Sequence, residues 1–237
     1  MNHFSHLLVE LDTSEVKGLL LYIIRHGETN GNLKGILQGW TDEPLNEKGR
    51  KLAEISARAL ADVKFDDVFS SPLLRAYETA EIIIKYNKKV EAGTTIKKDN
   101  RLKEMFFGDW EGCGIAKHNF SIPSDTFNLF YTDPFSFKNS PTGESINQVC
   151  ERTRDFYQEI IHNPYYKNKT VLIATHGFAL RAMLQQVYED KKDFWHGKIP
   201  DNCAVNIIEV HNGVGKLVGD DLLFYDSMLC VNPYIPI

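Results

Sequence analysis

The sequence predicts an α/β fold of three layers, α/β/α, around a mostly parallel central sheet. Residues 18–24 and 170–174 are apolar almost throughout, without the polar alternation of a half-exposed strand, which suits strands covered on both faces by crossover helices. Each run breaks abruptly into a polar turn containing His-Gly, Arg25-His26-Gly27 in one case and Thr175-His176-Gly177 in the other. Between and beyond them lie segments whose apolar residues recur at helical spacing. Ligands of such sheets bind beyond the carboxyl ends of the strands. The two His-Gly turns are therefore the first place to look for chemistry.

Taken in order, residues 1–17 are expected to add a strand or a short helix, with His3 and His6 incidental. After the first strand, Gly27 permits a turn or a close approach, and residues 30–42, with Gly31, Gly35 and Gly39, are expected as a loop over the strand end. Asn46 is the N-cap of a helix to about residue 62 whose apolar stripe is Leu52, Ile55, Ala59 and Leu60. Residues 65–69 make a short second strand. Ser70-Ser71-Pro72 then signals a helix start, with hydroxyls to cap orphan amides and a proline where its missing N–H costs nothing. Arg75 falls in the first turns of that helix and points back to the strand ends, while Ala76, Ala80, Ile83 and Ile84 face the sheet. Residues 90–96 are expected as a third strand.

Residues 101–112 form a loop presenting Glu104 among Leu102, Met105, Phe106 and Phe107, apolar company that favours the protonated form a general acid needs near neutral pH. Trp110 is a packing residue. Residues 113–142 intersperse Phe120, Phe127, Phe130, Tyr131, Phe135 and Phe137 with Pro123, Pro134 and Pro141, which predicts an irregular cap of short helices and turns. A helix over residues 146–161 buries Val149, Phe156 and Ile160, and another follows the strand at 170–174 to about residue 187. Residues 202–218 read as an antiparallel hairpin with a glycine turn at a sheet edge, a surface that could support a homodimer.

Composition narrows the function. With 237 residues and 43% apolar side chains the chain can bury a sizeable core. A net charge of −5 argues against a nucleic-acid surface, so any anion site must be a local basic pocket. Cys113, Cys150, Cys203 and Cys230 are widely spaced and read as reduced thiols. No apolar run approaches the roughly 20 residues that span a bilayer, and residues 1–18 lack a signal-peptide layout. A cytoplasmic protein without membrane or nucleic-acid partners is expected.

The motifs carry more. Residues 25–29 (Arg-His-Gly-Glu-Thr) with Asn32, residues 70–80, Leu102-Lys103-Glu104 with residues 107–112, and Thr175-His176-Gly177 occur in one order along the chain. Together they resemble the histidine phosphatase superfamily, which includes the cofactor-dependent phosphoglycerate mutases and many phosphatases. The resemblance implies one phosphoglycerate mutase-like domain over residues 1–237, with 113–142 as a cap insertion over the pocket. It implies catalytic roles for Arg25, His26, Arg75, Glu104 and His176, and substrate binding by Arg25, Asn32, Gln38, Gly39, Arg75, His176 and Gly177. It further implies that His26 is the nucleophile, although the residues alone, with two similar strand-end histidines, do not choose between His26 and His176. No cofactor or metal is called for: the arginines would supply the positive charge, and they would repel a cation held by the two histidines.

The substrate implied is a small phosphorylated metabolite. The residues after Glu104 look more like the phosphatases than the mutases, since no basic substrate-binding stretch follows them. A mutase, or a phospho-ligand or protein-binding module without catalysis, are the competing readings.

Overall fold

Successive residues of a strand point to opposite faces, and here both faces are dry. The computed structural model describes residues 18–229; the expectations for residues 1–17 and Cys230 fall outside them. The first strand, β1 (Leu19–Arg25), is buried along its whole length. A five-residue helix, α1 (Asn30–Lys34), then forms where a loop was expected: Thr29 and Asn32 make a reciprocal capping box, and Gly35 closes the helix at φ 61°. α2 (Glu47–Ala59) starts on Asn46, whose side chain accepts from the Gly49 amide. Its buried face is Leu52, Ala53, Ser56 and Ala57; Ile55 and Ala59 are exposed, because the helix is set one residue round from the stripe that hydropathy suggested.

β2 (Asp67–Ser70) leads to α3 (Leu74–Tyr86), which buries Arg75, Ala76, Thr79, Ala80 and Ile83. The two serines do not cap it. The amide of Leu74 donates instead to Asp42 (2.6 Å), a carboxylate brought in from the preceding loop. Of residues 90–96 only Ile96 is in strand β3 (Ile96–Lys98); the rest turns, with Gly93 at φ 90°. The cap is irregular as expected, with one short α-helix, α4 (Leu129–Thr132), and a 3₁₀ turn at Pro134–Ser136. α5 (Ile146–His162) carries a Ser145–Gln148 capping box, and β4 (Thr170–Thr175) runs into α6 (Gly177–Leu184), three residues shorter than predicted. β5 (Val205–His211) and β6 (Val214–Leu222) are the expected hairpin, turning at Asn212 and Gly213 with φ 51° and 78°, the geometry a right-twisted two-residue turn requires.

The six strands lie in the order β3-β2-β4-β1-β5-β6, the first four parallel and the hairpin antiparallel. Leu19, Leu21 and Ile23 pack with Val171, Ile173, Phe156, Ile160, Leu180 and Met183 on the α5/α6 side. Leu20, Tyr22 and Ile24 pack with Leu172, Ala174, Leu52, Ala53, Ala80 and Ile83 on the α2/α3 side. A third cluster, Met105, Phe107, Trp110, Phe127, Phe130, Phe137, Phe178, Phe194 and Trp195, holds the cap on the body through α6.

The turn leaving β1 crosses the start of α2 with no room for side chains. A Cβ on Gly27 would lie 2.6 Å from the Gly49 carbonyl oxygen, and one on Gly49 only 2.1 Å from that of Glu28. Helix propensity alone favours alanine over glycine by about 1 kcal/mol, but both obstacles are backbone. Gly49→Ala is therefore expected to destabilise the protein by about 2–3 kcal/mol, seen as a lower urea midpoint at unchanged slope. An unchanged midpoint would show the crossing to be loose.

Candidate active site

Strand register assembles the site. β1 and β4 pair with Arg25 opposite Thr175, so the next residues, His26 and His176, leave the sheet side by side, and the His26 amide donates to the Thr175 carbonyl (2.9 Å). Their ring centroids are 5.1 Å apart. β2 pairs on the other edge of β4 with Ser70 opposite Ala174, which delivers Ser71 beside the same spot. All three side chains are buried.

Arg25 and Arg75 are buried as well, 6% and 1% exposed. Arg75 donates to the carbonyls of Thr41 (2.8 Å) and Gly39 (2.7 Å), and Arg25 to the carbonyl of Pro200. Carbonyls are neutral, so they orient a guanidinium without cancelling its charge. Nε of Arg25 and Nδ1 of His176 are buried and make no hydrogen bond among the described residues, two nitrogens at the mouth of three strands. Burial, and then the Arg75 and Arg25 charges, push the His26 imidazole well below its ordinary pKa. Burial, Arg75, His26, Arg152 and Arg25 do the same to His176. Both rings are neutral at physiological pH.

The tautomer of His26 follows from its partner. Nδ1 lies 2.7 Å from the Gly27 carbonyl, which can only accept, so Nδ1 carries the proton and Nε2 keeps its lone pair. The Gly27 amide in turn donates to Thr79 (3.0 Å), whose hydroxyl donates to the Arg75 carbonyl (2.7 Å), tying this turn to the helix that carries Arg75.

Glu104 is where the structure corrects the sequence most. Its sequence neighbours Met105 and Phe107 point into the cap cluster. The carboxyl itself accepts from three backbone amides: that of Met105 in its own loop (2.9 Å, on Oε1), and those of Ala179 (3.1 Å, on Oε1) and Phe178 (3.2 Å, on Oε2) at the start of α6, two to three residues past His176. The loop that carries it is clamped by Arg152, which donates to the carbonyls of Arg101, Lys103 and Glu104 while forking onto Glu144. Trp40 adds an indole N–H to the Glu104 carbonyl (2.9 Å).

The other predicted residues gather close by. Asn32 is buried and accepts from Asn202, which also donates to the His26 carbonyl (3.0 Å). Gln38 is bound up within its own loop, accepting from Thr29 (2.6 Å) and Asn32 and donating to Glu43. Gly39 contributes the carbonyl that holds Arg75. A Cβ on Gly177 would sit 3.5 Å from Nε of Arg25, so that glycine lies against the guanidinium. Ser71, Thr79, Arg152 and Asn202 were missed. Ser71 and Thr79 stand inside a quoted motif, and strand register could have indicated Ser71; nothing local marks Arg152 or Asn202. Among the described residues no three His, Cys, Asp or Glu side chains come together as a metal would need, and no helix is long and apolar enough to cross a membrane.

The model of the histidine phosphatase superfamily, branch 1, matches residues 21–220, a span that takes in every residue of this site. The chain belongs to that superfamily. A 2,3-bisphosphoglycerate-dependent phosphoglycerate mutase of Cytophaga hutchinsonii is 32% identical over 173 residues, 71% of this chain and 76% of that protein. The Bacillus subtilis phosphatase PhoE, itself described as uncharacterized, is 30% identical over 185 residues, 78% of this chain and 86% of that protein. Among solved structures, Bacillus stearothermophilus YhfR superposes with a TM-score of 0.76 at 31% identity, covering 86% of this chain and 98% of the other. The three-layer, mostly parallel architecture is thus the superfamily's own, and the chain is an enzyme of phosphoryl transfer, of a kind whose phosphatases and mutases work through phosphohistidine.

Neutral buried histidines bear on stability. Unfolded, each titrates near its ordinary value of about 6.5; folded, each holds its proton far less well. The unfolded chain therefore binds more protons as pH falls below about 6.5, and stability present above that pH is lost by up to about 1.4 kcal/mol per pH unit per histidine. In urea titrations, His26→Gln is expected to remove about 1.4 kcal/mol per pH unit from the slope between about pH 6 and 5. An unaltered slope would mean that His26 titrates in the folded protein as it does in the unfolded chain.

Proposed function

We propose that the protein is a metal-independent phosphatase that hydrolyses a small phosphate monoester through a phosphohistidine on Nε2 of His26. The observation that carries this is the 2.7 Å bond from Nδ1 of His26 to the Gly27 carbonyl, which leaves Nε2 basic and unprotonated beside two buried guanidiniums. His176 differs: its Nε2 is engaged by Ser71 at 2.8 Å. This supports His26 as the nucleophile on grounds independent of the resemblance.

In the first step Nε2 attacks phosphorus, the P–O ester bond breaks, and the departing alkoxide takes a proton from Glu104. Water then attacks the phosphohistidine with Glu104 accepting its proton, the N–P bond breaks, and inorganic phosphate leaves with His26 neutral and Glu104 protonated again. Arg25, Arg75 and His176 surround the equatorial oxygens with donors, and fixed positive charge of this kind supplies most of the acceleration in phosphoryl transfer. The three amides at Glu104 use lone pairs that leave room for one carboxyl proton.

Hydrolysis is favoured over transfer to a second acid by what lies past Glu104. Residues 107–112 turn Trp110 into the cap core, and Glu111 holds the loop at 40–41 through the Trp40 amide and the Thr41 amide and hydroxyl. The cap segment 113–142 offers two lysines, Lys117 and Lys138, and both are exposed. A second anionic acceptor finds no basic wall there.

Wild-type protein is expected to release phosphate from p-nitrophenyl phosphate and to show no phosphoglycerate isomerisation, with or without 2,3-bisphosphoglycerate. His26→Ala should lose at least about 1,000-fold in kcat and all phosphoenzyme labelling. Labelling that persists in that variant would move the nucleophile elsewhere, and isomerisation faster than hydrolysis would make the enzyme a mutase.

A further inference from the structure

One buried contact in the site, the 2.8 Å bond between Ser71 Oγ and His176 Nε2, sets His176 apart from His26 but has no role of its own in the two chemical steps. Ser71 and His176 are both fully enclosed, at 0% exposure, and the serine is fixed by its own backbone, its amide donating to the Ala174 carbonyl (2.9 Å). Its oxygen also accepts from the Leu73 amide (3.3 Å).

The direction of the bond then follows from the count of donors and acceptors. Were Nε2 the donor, the serine oxygen would accept twice, and its own proton would be buried with no acceptor among the described residues, a costly arrangement. With the hydroxyl donating to Nε2, the serine proton and the Nε2 lone pair are both used, and the imidazole proton must reside on Nδ1. That atom is the one of His176 left without a partner. The two tautomers differ sharply toward a phosphoryl oxygen: Nδ1–H donates to it, whereas an Nδ1 lone pair repels it.

We propose that Ser71 is a positioning residue that locks His176 in its Nδ1–H tautomer, so that a neutral imidazole presents a hydrogen-bond donor to the transferring phosphoryl group. The inference rests on the phosphoryl-transfer reading of the site. It makes the two strand-end histidines chemical opposites in one respect. The Gly27 carbonyl leaves the first with a basic Nε2, and the Ser71 hydroxyl leaves the second with an acidic Nδ1–H.

The test begins with the wild-type protein labelled with ¹⁵N-histidine, whose long-range ¹H–¹⁵N correlation pattern at mildly alkaline pH distinguishes the tautomers without any substrate. His176, assigned by its absence from His176→Gln, is expected to show the Nδ1–H pattern, and Ser71→Ala to shift it toward Nε2–H. Turnover of p-nitrophenyl phosphate by Ser71→Ala should fall about 10- to 100-fold in kcat, with Ser71→Thr, which keeps the hydroxyl, restoring the tautomer and most of the rate. A wild-type His176 protonated on Nε2 overturns the proposal, and so does a Ser71→Ala protein that keeps either the wild-type tautomer or the wild-type kcat. Should Ser71→Ala not fold, the wild-type and Ser71→Thr spectra decide. A wild-type enzyme that turned over no phosphate ester would instead count against the hydrolase reading, with the tautomer still decided by the spectrum.

Discussion

Everything at the strand ends depends on the register between β1 and β4. With Arg25 opposite Thr175, two histidines emerge as neighbours and their rings come to 5.1 Å. A slip of one residue would turn each core side chain of a strand to the wrong face. Three apolar clusters, one on each side of the sheet and one under the cap, hold that register. Within this dry frame two guanidiniums and two imidazoles are buried together. Burying charge costs several kcal/mol per ion unless it is compensated, and a doubly negative phosphoryl group is a natural compensator. The protein's other buried arginine, Arg181, is treated differently, with Asp221 at 2.5 Å and the Lys198 carbonyl as partners. That pairing fits a structural role, whereas Arg25 makes no ion pair among the described residues.

Much of this was legible in the amino-acid order because local rules and global fold agree. Continuous apolar runs gave buried strands, Asn46 gave a helix start, and Asn212-Gly213 gave the turn. The failures share a cause. Ile55 has the hydropathy of a core residue, but the helix meets the sheet along Leu52, Ala53 and Ala57. Ser70 and Ser71 have the chemistry of caps, but the cap comes from Asp42 and Ser71 is occupied with a histidine 105 residues away. Glu104 has apolar neighbours along the chain, while its oxygens meet amides of a helix more than 70 residues later. Periodicity and propensity see a window of a dozen residues, and polar partners at such separations lie beyond it.

The cap is joined to the chemistry by one helix. Phe178, two residues after His176, stacks on Phe194 (4.4 Å) and Phe130 (5.7 Å), so the aromatic cluster rests on the same turn of α6 whose amides bind Glu104. Aromatic pairs of this geometry contribute about 0.5–1.5 kcal/mol each beyond their burial, and several meet here. Cap and Glu104 are thereby referenced to a single rigid element, and repacking of the cap would be felt at that carboxyl.

The groups that steady the site's basic side chains are mostly main-chain carbonyls: those of Gly39 and Thr41 for Arg75, of Pro200 for Arg25, of Gly27 for the neutral His26, and of residues 101, 103 and 104 for Arg152. A carbonyl oxygen is supplied by whichever amino acid stands at the position. The loops around the anion cradle can thus drift in side-chain identity while the cradle keeps its grip, provided the path of the chain is preserved. Such mutational robustness would let one phosphoryl-transfer apparatus be inherited intact by descendants with very different appetites.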